Sequence, residues 1–137
     1  MKTQLHITNL DYQRLQTLIS QLKNEKREEL QYLETLEKEL LKASKIEPRK
    51  ITPEVITMNS EVEVIDTDTG KIMVVKLVYP QVADFRNYRL SVLSPLGSAL
   101  IGYREGDVIE YEVPAGKKKV RIGKILYQPE ANGEFNI

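Results

Sequence analysis

Cysteine and tryptophan are missing from the 137 residues altogether, and histidine occurs once, as His6. Without thiols the chain has no disulfide scaffold, no thiolate nucleophile and no cysteine metal knuckle. A Ser-His-Asp triad, a phosphohistidine relay or a histidine metal site would each have to use that one side chain, which has no companion ligands in its own segment. Nor is there an excess of either charge. Twenty Lys and Arg match twenty Asp and Glu, which removes the basic-tail route to nucleic acid and the acidic route to disorder. Long apolar runs are lacking too. Outside the tail the longest uncharged stretch, Leu90 to Tyr103, is broken by Pro95 and Gly97 and is too short to span a bilayer as a helix. With no signal-peptide pattern at its start, the protein is expected in the cytoplasm without a membrane partner.

What is present divides at about residue 50. From Asn9 to Glu47 there is neither Gly nor Pro, and Leu, Glu, Lys and Gln dominate, all good helix formers. Thr8 is placed to cap the first turn with its hydroxyl, Asp11 stands at the third helical position, and Ile7 can staple against Tyr12. Tyr12, Leu15, Ile19 and Leu22 step by three and four along one face, and Leu30, Leu33, Leu36 and Leu40 repeat the pattern. Between them, six of the seven residues from Lys23 to Glu29 are charged. Two arrangements satisfy this spacing. One is an antiparallel helical hairpin over residues 1–47 with the charged segment at its tip. The other is an unbroken helix paired with a second chain as a dimeric coiled-coil adaptor.

Residues 48–53 read as a linker, because Pro48 and Pro53 forbid helix for their predecessors. The rest is rich in strand patterns. Ser60 to Asp66 alternates, Asp66-Thr67-Asp68-Thr69-Gly70 supplies a hairpin turn, and Lys71 to Tyr79 is a long Val, Met and Leu strand. Tyr88 to Leu93, Val108 to Val113 and Lys119 to Tyr127 read as further strands, with a turn at Pro114-Ala115-Gly116. Ser98 to Ile101 has room for one short helix. Strands with a lone helix predict an α+β unit over residues 54–131, an antiparallel sheet wrapped over that helix. The chain from Pro129 onward is expected to be loose, with residues 132–137 as a tail.

Catalytic constellations are sparse. Gly97 and Gly102 are not followed by the Lys of a phosphate-cradling loop. The pairs Asp66/Asp68 and Glu105/Asp107 suit turns, and Lys117-Lys118-Lys119 with Arg121 suits a guarded sheet edge or, as the sharper reading, a weak phosphate contact. Two features fit interaction better. Glu25, Glu28 and Glu29 at a hairpin tip can reach a partner's cleft, where hard oxygen ligands suit Mg²⁺, although Lys23, Lys26 and Arg27 interleave with them and favour a merely soluble turn. Leu93-Ser94-Pro95-Leu96-Gly97 sets an apolar Pro-Leu pair in a turn, either as a local packing plug or as an exposed anchor for another protein.

Val55-Ile56-Thr57-Met58-Asn59-Ser60, the Asp66–Gly70 turn, Leu77-Val78-Tyr79-Pro80 with Ala83-Asp84, and above all LSVLSPLGSALIGYREGD from Leu90 to Asp107 resemble the carboxyl-terminal domain of the GreA/GreB transcription elongation factors. Val113-Pro114-Ala115-Gly116 continues the match, and Ile125 to Ala131 is similar to the ending of the short Rnk branch, the regulators named for nucleoside diphosphate kinase. The resemblance implies an FKBP-like twisted antiparallel sheet with one short helix. It also implies docking on core RNA polymerase near the secondary channel, with Ser94, Pro95 and Leu96 in the docking loop, Asp84 near its base, and the helical hairpin pointing inward. The cleavage-stimulating members carry a Gly-Asp-Leu-Ser-Glu-Asn-like tip. Here the tip is Lys23-Asn24-Glu25-Lys26-Arg27-Glu28-Glu29, and an arm over residues 30–47 spans only roughly 27 Å. The resemblance thus implies polymerase binding without transcript cleavage: no enzyme activity, no cofactor, no metal site, no direct DNA contact, and a monomer. A peptidyl-prolyl isomerase is the enzymatic alternative, resting on the fold name alone.

Overall fold

In the computed structural model, residues 5–25, 36–38, 40–113 and 115–134 are described, with residues 22–25 described by their backbone only. The first strand, β1 (His6–Thr8), runs directly into helix α1 (Asn9–Glu25). Thr8 caps it as its position predicts, its hydroxyl accepting from the Asp11 N–H at 3.1 Å. Asp11 also reaches beyond its own helix. Its Oδ2 accepts from the N–H of Met58 at 3.1 Å, 47 residues away. The first turn of α1 is thereby fastened to the β-rich half of the chain.

Residues 36–38 and 40–42 are helical and lead into β2 (Ser44–Ile46). β2 pairs in parallel with β1, Ile7 opposite Lys45. A single straight helix from residue 9 to residue 42 would hold its ends roughly 50 Å apart, whereas paired strands lie about 4.8 Å apart. The chain that leaves through α1 therefore comes back to its starting point, and the unbroken-helix alternative fails. The helical reading to Glu47 stops short as well: Ser44-Lys45-Ile46 is strand, because its backbone finds partners in β1. Leu15, Leu18, Ile19, Leu36 and Leu40 are all buried in one apolar cluster with residues of the β-rich half.

The run 48–53 is more than a linker. Pro48–Lys50 forms one 3₁₀ turn and Ile51 is buried. The five-stranded sheet follows, made of β3 (Glu61–Asp66), β4 (Ile72–Val78), β5 (Arg89–Ser91), β6 (Val108–Val113) and β7 (Gly116–Tyr127), in the order β5-β4-β3-β7-β6. Every pair is antiparallel except β4–β5, which is parallel. The expected purely antiparallel sheet is thus corrected to a mixed one. Parallel neighbours need a crossover rather than a tight turn, and the chain between β4 and β5 provides it through two 3₁₀ turns, Pro80–Val82 and Phe85–Asn87. The β3–β4 turn forms as expected: Asp66 Oδ1 accepts from the N–H groups of Asp68 and Thr69, and Gly70 takes a left-handed φ of 75°.

The one short helix of this half, α2 (Pro95–Leu100), covers the inner face of the sheet. Ser94 caps it, accepting from the Gly97 N–H at 3.0 Å and donating to the Ser91 carbonyl at 2.7 Å. Gly97 is there for closeness: a Cβ on it would lie 1.9 Å from the Ser91 carbonyl oxygen. The end of the chain is another correction. Pro129 is buried, Glu130–Asn132 forms a 3₁₀ turn, and Glu130 accepts from the Thr57 hydroxyl at 2.7 Å. The buried Gln128 amide donates to the carbonyls of Thr52 and Val55. Polar side chains, which carry no periodicity, hold this segment down.

Candidate partner-binding groove

Of the docking-loop residues, Leu96 departs most from expectation. It is 7% exposed, because the first turn of α2 points it under the sheet, while Pro95 at the helix start is half-buried. Leu96 is a packing residue and not an exposed anchor. It nevertheless reaches a recognisable place. A groove of about 520 Å³ lies between α2 and the outer end of the sheet's inner face, lined by Leu96 together with Val64, Met73, Tyr88, Tyr111 and Val120. The alternation of β3, β6 and β7 produces it. Residues deep on this face meet α2 and are covered; those toward the β3–β4 and β6–β7 turns extend past the short helix and stay open. Tyr111 stands opposite Lys118, and Asp66 opposite Val120, across the paired strands.

Asp84 serves the same region indirectly. Its Oδ1 accepts from the Arg86 N–H at 3.1 Å and its Oδ2 from the Asn87 amide at 2.6 Å. These bonds fix the turn that ends with Tyr88 in a left-handed conformation, φ 58°. The turn presents Phe85 at 74% and Tyr88 at 55% exposure, and Tyr88 lines the groove. The structure thus joins Asp84 and Leu96 through Tyr88, whereas Ser94 and Pro95 support the floor without lining it. Tyr88, Tyr111 and Lys71 were not assigned to docking from the sequence, and Lys118 stood there only within the Lys117-Lys118-Lys119 patch. The cross-strand register around the β6–β7 turn is the signal that places Tyr111 beside Lys118.

Glu28 and Glu29 lie outside the described residues, as does the side chain of Glu25 at the end of α1. Among the described residues no three His, Asp or Glu side chains gather closely enough to hold a metal ion, and no helix is long and apolar enough to cross a membrane.

A second polar focus lies where α1 meets the β-rich half. Asp11 is 2% exposed; burial pushes its carboxyl up to about 7, against the opposing hydrogen bond from Met58. The Tyr79 hydroxyl donates to Asp11 Oδ1 at 3.4 Å, and burial, then the Asp11 charge, raise the Tyr79 phenol. Burial also raises the Glu130 carboxyl. The sequence signal for Asp11 was its phase, since it precedes Leu15 and Leu18 by four and seven residues on the apolar face. His6, the one histidine, is half-buried. It sits in β1 with Arg104 Nη2 2.9 Å from its Nδ1, and burial, then the guanidinium, lower its pKa.

Residues 51–127 match the family model for the C-terminal part of the transcription elongation factors GreA/GreB, and residues 3–44 match the model for the Rnk N-terminus. This chain belongs to the GreA/GreB family. Its two-part match is that of the Rnk type. The chain is 35% identical over 130 residues to a regulator of nucleoside diphosphate kinase from Escherichia coli, covering 94% of this chain and 93% of that one. It is 36% identical over 93 residues to transcription elongation factor GreA of Nitrobacter winogradskyi, covering 68% of this chain and 59% of GreA. Among solved structures, a prokaryotic transcription elongation factor GreA/GreB from Nitrosomonas europaea superposes with a TM-score of 0.75 at 35% identity. That superposition covers 90% of this chain and all of the other. The groove, α2 and the Asp84 turn all lie within the GreA/GreB-matching part, whereas Asp11 belongs to the Rnk-type part and ties the two together.

Proposed function

We propose that this GreA/GreB-family protein is a regulator that binds core RNA polymerase near its secondary channel without stimulating transcript cleavage. The observation that carries the reading is the groove beside α2, apolar and open, with exposed Tyr88 and Phe85 beside the turn that Asp84 caps. Contiguous exposed apolar surface of this kind, with an aromatic at its edge, suits a protein partner. In this reading residues 54–131 form an FKBP-like docking unit and residues 1–47 an antiparallel helical hairpin that points into the channel. The tip, with Glu25, Glu28 and Glu29 offset by Lys23, Lys26 and Arg27, is a poor Mg²⁺ chelator. The protein acts as a monomer in the cytoplasm, needing neither cofactor nor direct DNA contact. Two of the leucines that a dimeric coiled coil would expose to a second chain, Leu15 and Leu40, are buried within this one.

A stalled elongation complex made with purified polymerase tests the proposal. The protein is expected to bind it, to leave the transcript uncleaved, and to slow cleavage stimulated by an added GreA. Absence of binding at micromolar concentration refutes the reading; binding accompanied by cleavage refutes its second half.

A further inference from the structure

The groove is apolar along its floor but carries charge at one end. Lys71, just before β4, and Lys118 on β7 both line it, and both are exposed. Lys50 pairs with Glu47 and Lys117 with Glu110, whereas neither groove lysine pairs with an acid among the described residues. Asp66 lines the same end of the groove. Its Oδ1 is engaged by the turn N–H groups of Asp68 and Thr69, and those bonds, with smaller help from Lys118 and Lys71, hold its carboxyl below the usual range. Lys118 faces an uncharged partner, Tyr111, whereas its neighbour Lys117 is matched by Glu110.

We propose that the groove receives an apolar side chain flanked by carboxylates on the docking element of RNA polymerase, the carboxylates meeting Lys71 and Lys118. The inference rests on the polymerase docking proposed above and adds the chemistry of the partner. The floor and the charge together select that chemistry. A phosphate backbone would use the two lysines and leave Met73, Tyr88 and Tyr111 facing water, whereas a purely apolar partner would leave the lysines unmatched at the rim. Met73 and Tyr111, both half-buried, and the exposed Tyr88 form the open part of that apolar lining, so a partner that covers them also excludes water from around the charges. Charges at the rim of an interface act chiefly by steering the encounter, and their effect falls as salt rises.

The test measures binding of the full chain to core polymerase at low and high ionic strength. It compares the wild type with Lys71→Glu/Lys118→Glu, Lys71→Arg/Lys118→Arg and the groove-rim variant Tyr88→Asp, each first shown to melt like the wild type. The Glu pair is expected to slow association by about tenfold at low salt, with the gap closing at high salt, while the Arg pair binds as the wild type does. If Tyr88→Asp weakens binding but the Glu pair changes nothing at either salt, docking through the groove stands and the acidic partner is refuted. Should all variants bind alike, the groove is not the docking surface and the inference falls with it. Failure of the wild type itself to bind removes the proposed function, and this inference with it.

Discussion

Replacing Asp11 by Asn changes one atom at the junction between α1 and the β-rich half, and its consequence depends on pH. Asp11 is buried, accepts from the Met58 N–H at 3.1 Å, and has its carboxyl raised from 3.8 to about 7. Because the folded state holds this proton more tightly than the unfolded chain does, unfolding releases protons between those two values. Stability from this group is therefore complete below about pH 4, declines as pH rises toward 7, and is lost above it. At 1.36 kcal/mol per unit the loss is on the order of 4 kcal/mol. Asn is neutral throughout, keeps an oxygen for Met58, and turns its amide toward the Tyr79 hydroxyl, which can accept as well as donate. Asp11→Asn is expected to match the wild type below about pH 4, to be the more stable protein by on the order of 1–2 kcal/mol at pH 5, and to widen that lead up to about pH 7. His6 titrates with the opposite slope, its lowered pKa making stability rise as pH increases through 6.5, but it is common to both proteins and cancels in their difference. Urea unfolding followed by circular dichroism at pH 5, 6, 7 and 8 reads that difference directly. A difference that stays constant across the series refutes the buried-acid reasoning.

Gly97→Ala forces a Cβ onto the Ser91 carbonyl, and α2 cannot retreat without opening the core; thermal melting should show a loss of about 1–3 kcal/mol or more. Leu96→Ala empties a buried position on the groove floor and is expected to cost about 2–5 kcal/mol in denaturant unfolding, as a packing residue must and an exposed anchor would not. Tyr88→Asp sits at a left-handed φ that Asp tolerates, so it should leave the melting temperature within a few degrees of the wild type. The same substitution should weaken polymerase binding by about 1–2 kcal/mol in a titration.

Strand patterns survive translation into structure when a local cause suffices. Val62 and Val64 alternate with Glu61 and Glu63, and β3 lies where that alternation puts it; the Asp66–Gly70 turn needs only a carboxylate and a glycine, both within five residues. The β4–β5 pairing escaped because parallel register arises between segments ten residues apart, with no pattern in either to mark it. The β1–β2 pairing escaped for a related reason: three-residue strands flanking a helical run look like more helix until their backbones find each other.

Composition, the Thr8 cap, the leucine spacing and the order of motifs from Val55 to Ala131 were enough to establish the α+β class and the GreA/GreB family, since each rests on neighbours in sequence. Whether a given side chain faces water was settled elsewhere. Leu96 turned inward and Asp11 became a buried acid because of what packs over them from 47 or more residues away or from the opposite sheet face. The groove exists because α2 is shorter than the sheet it covers. Burial is a property of the assembled surfaces, and no local pattern contains it.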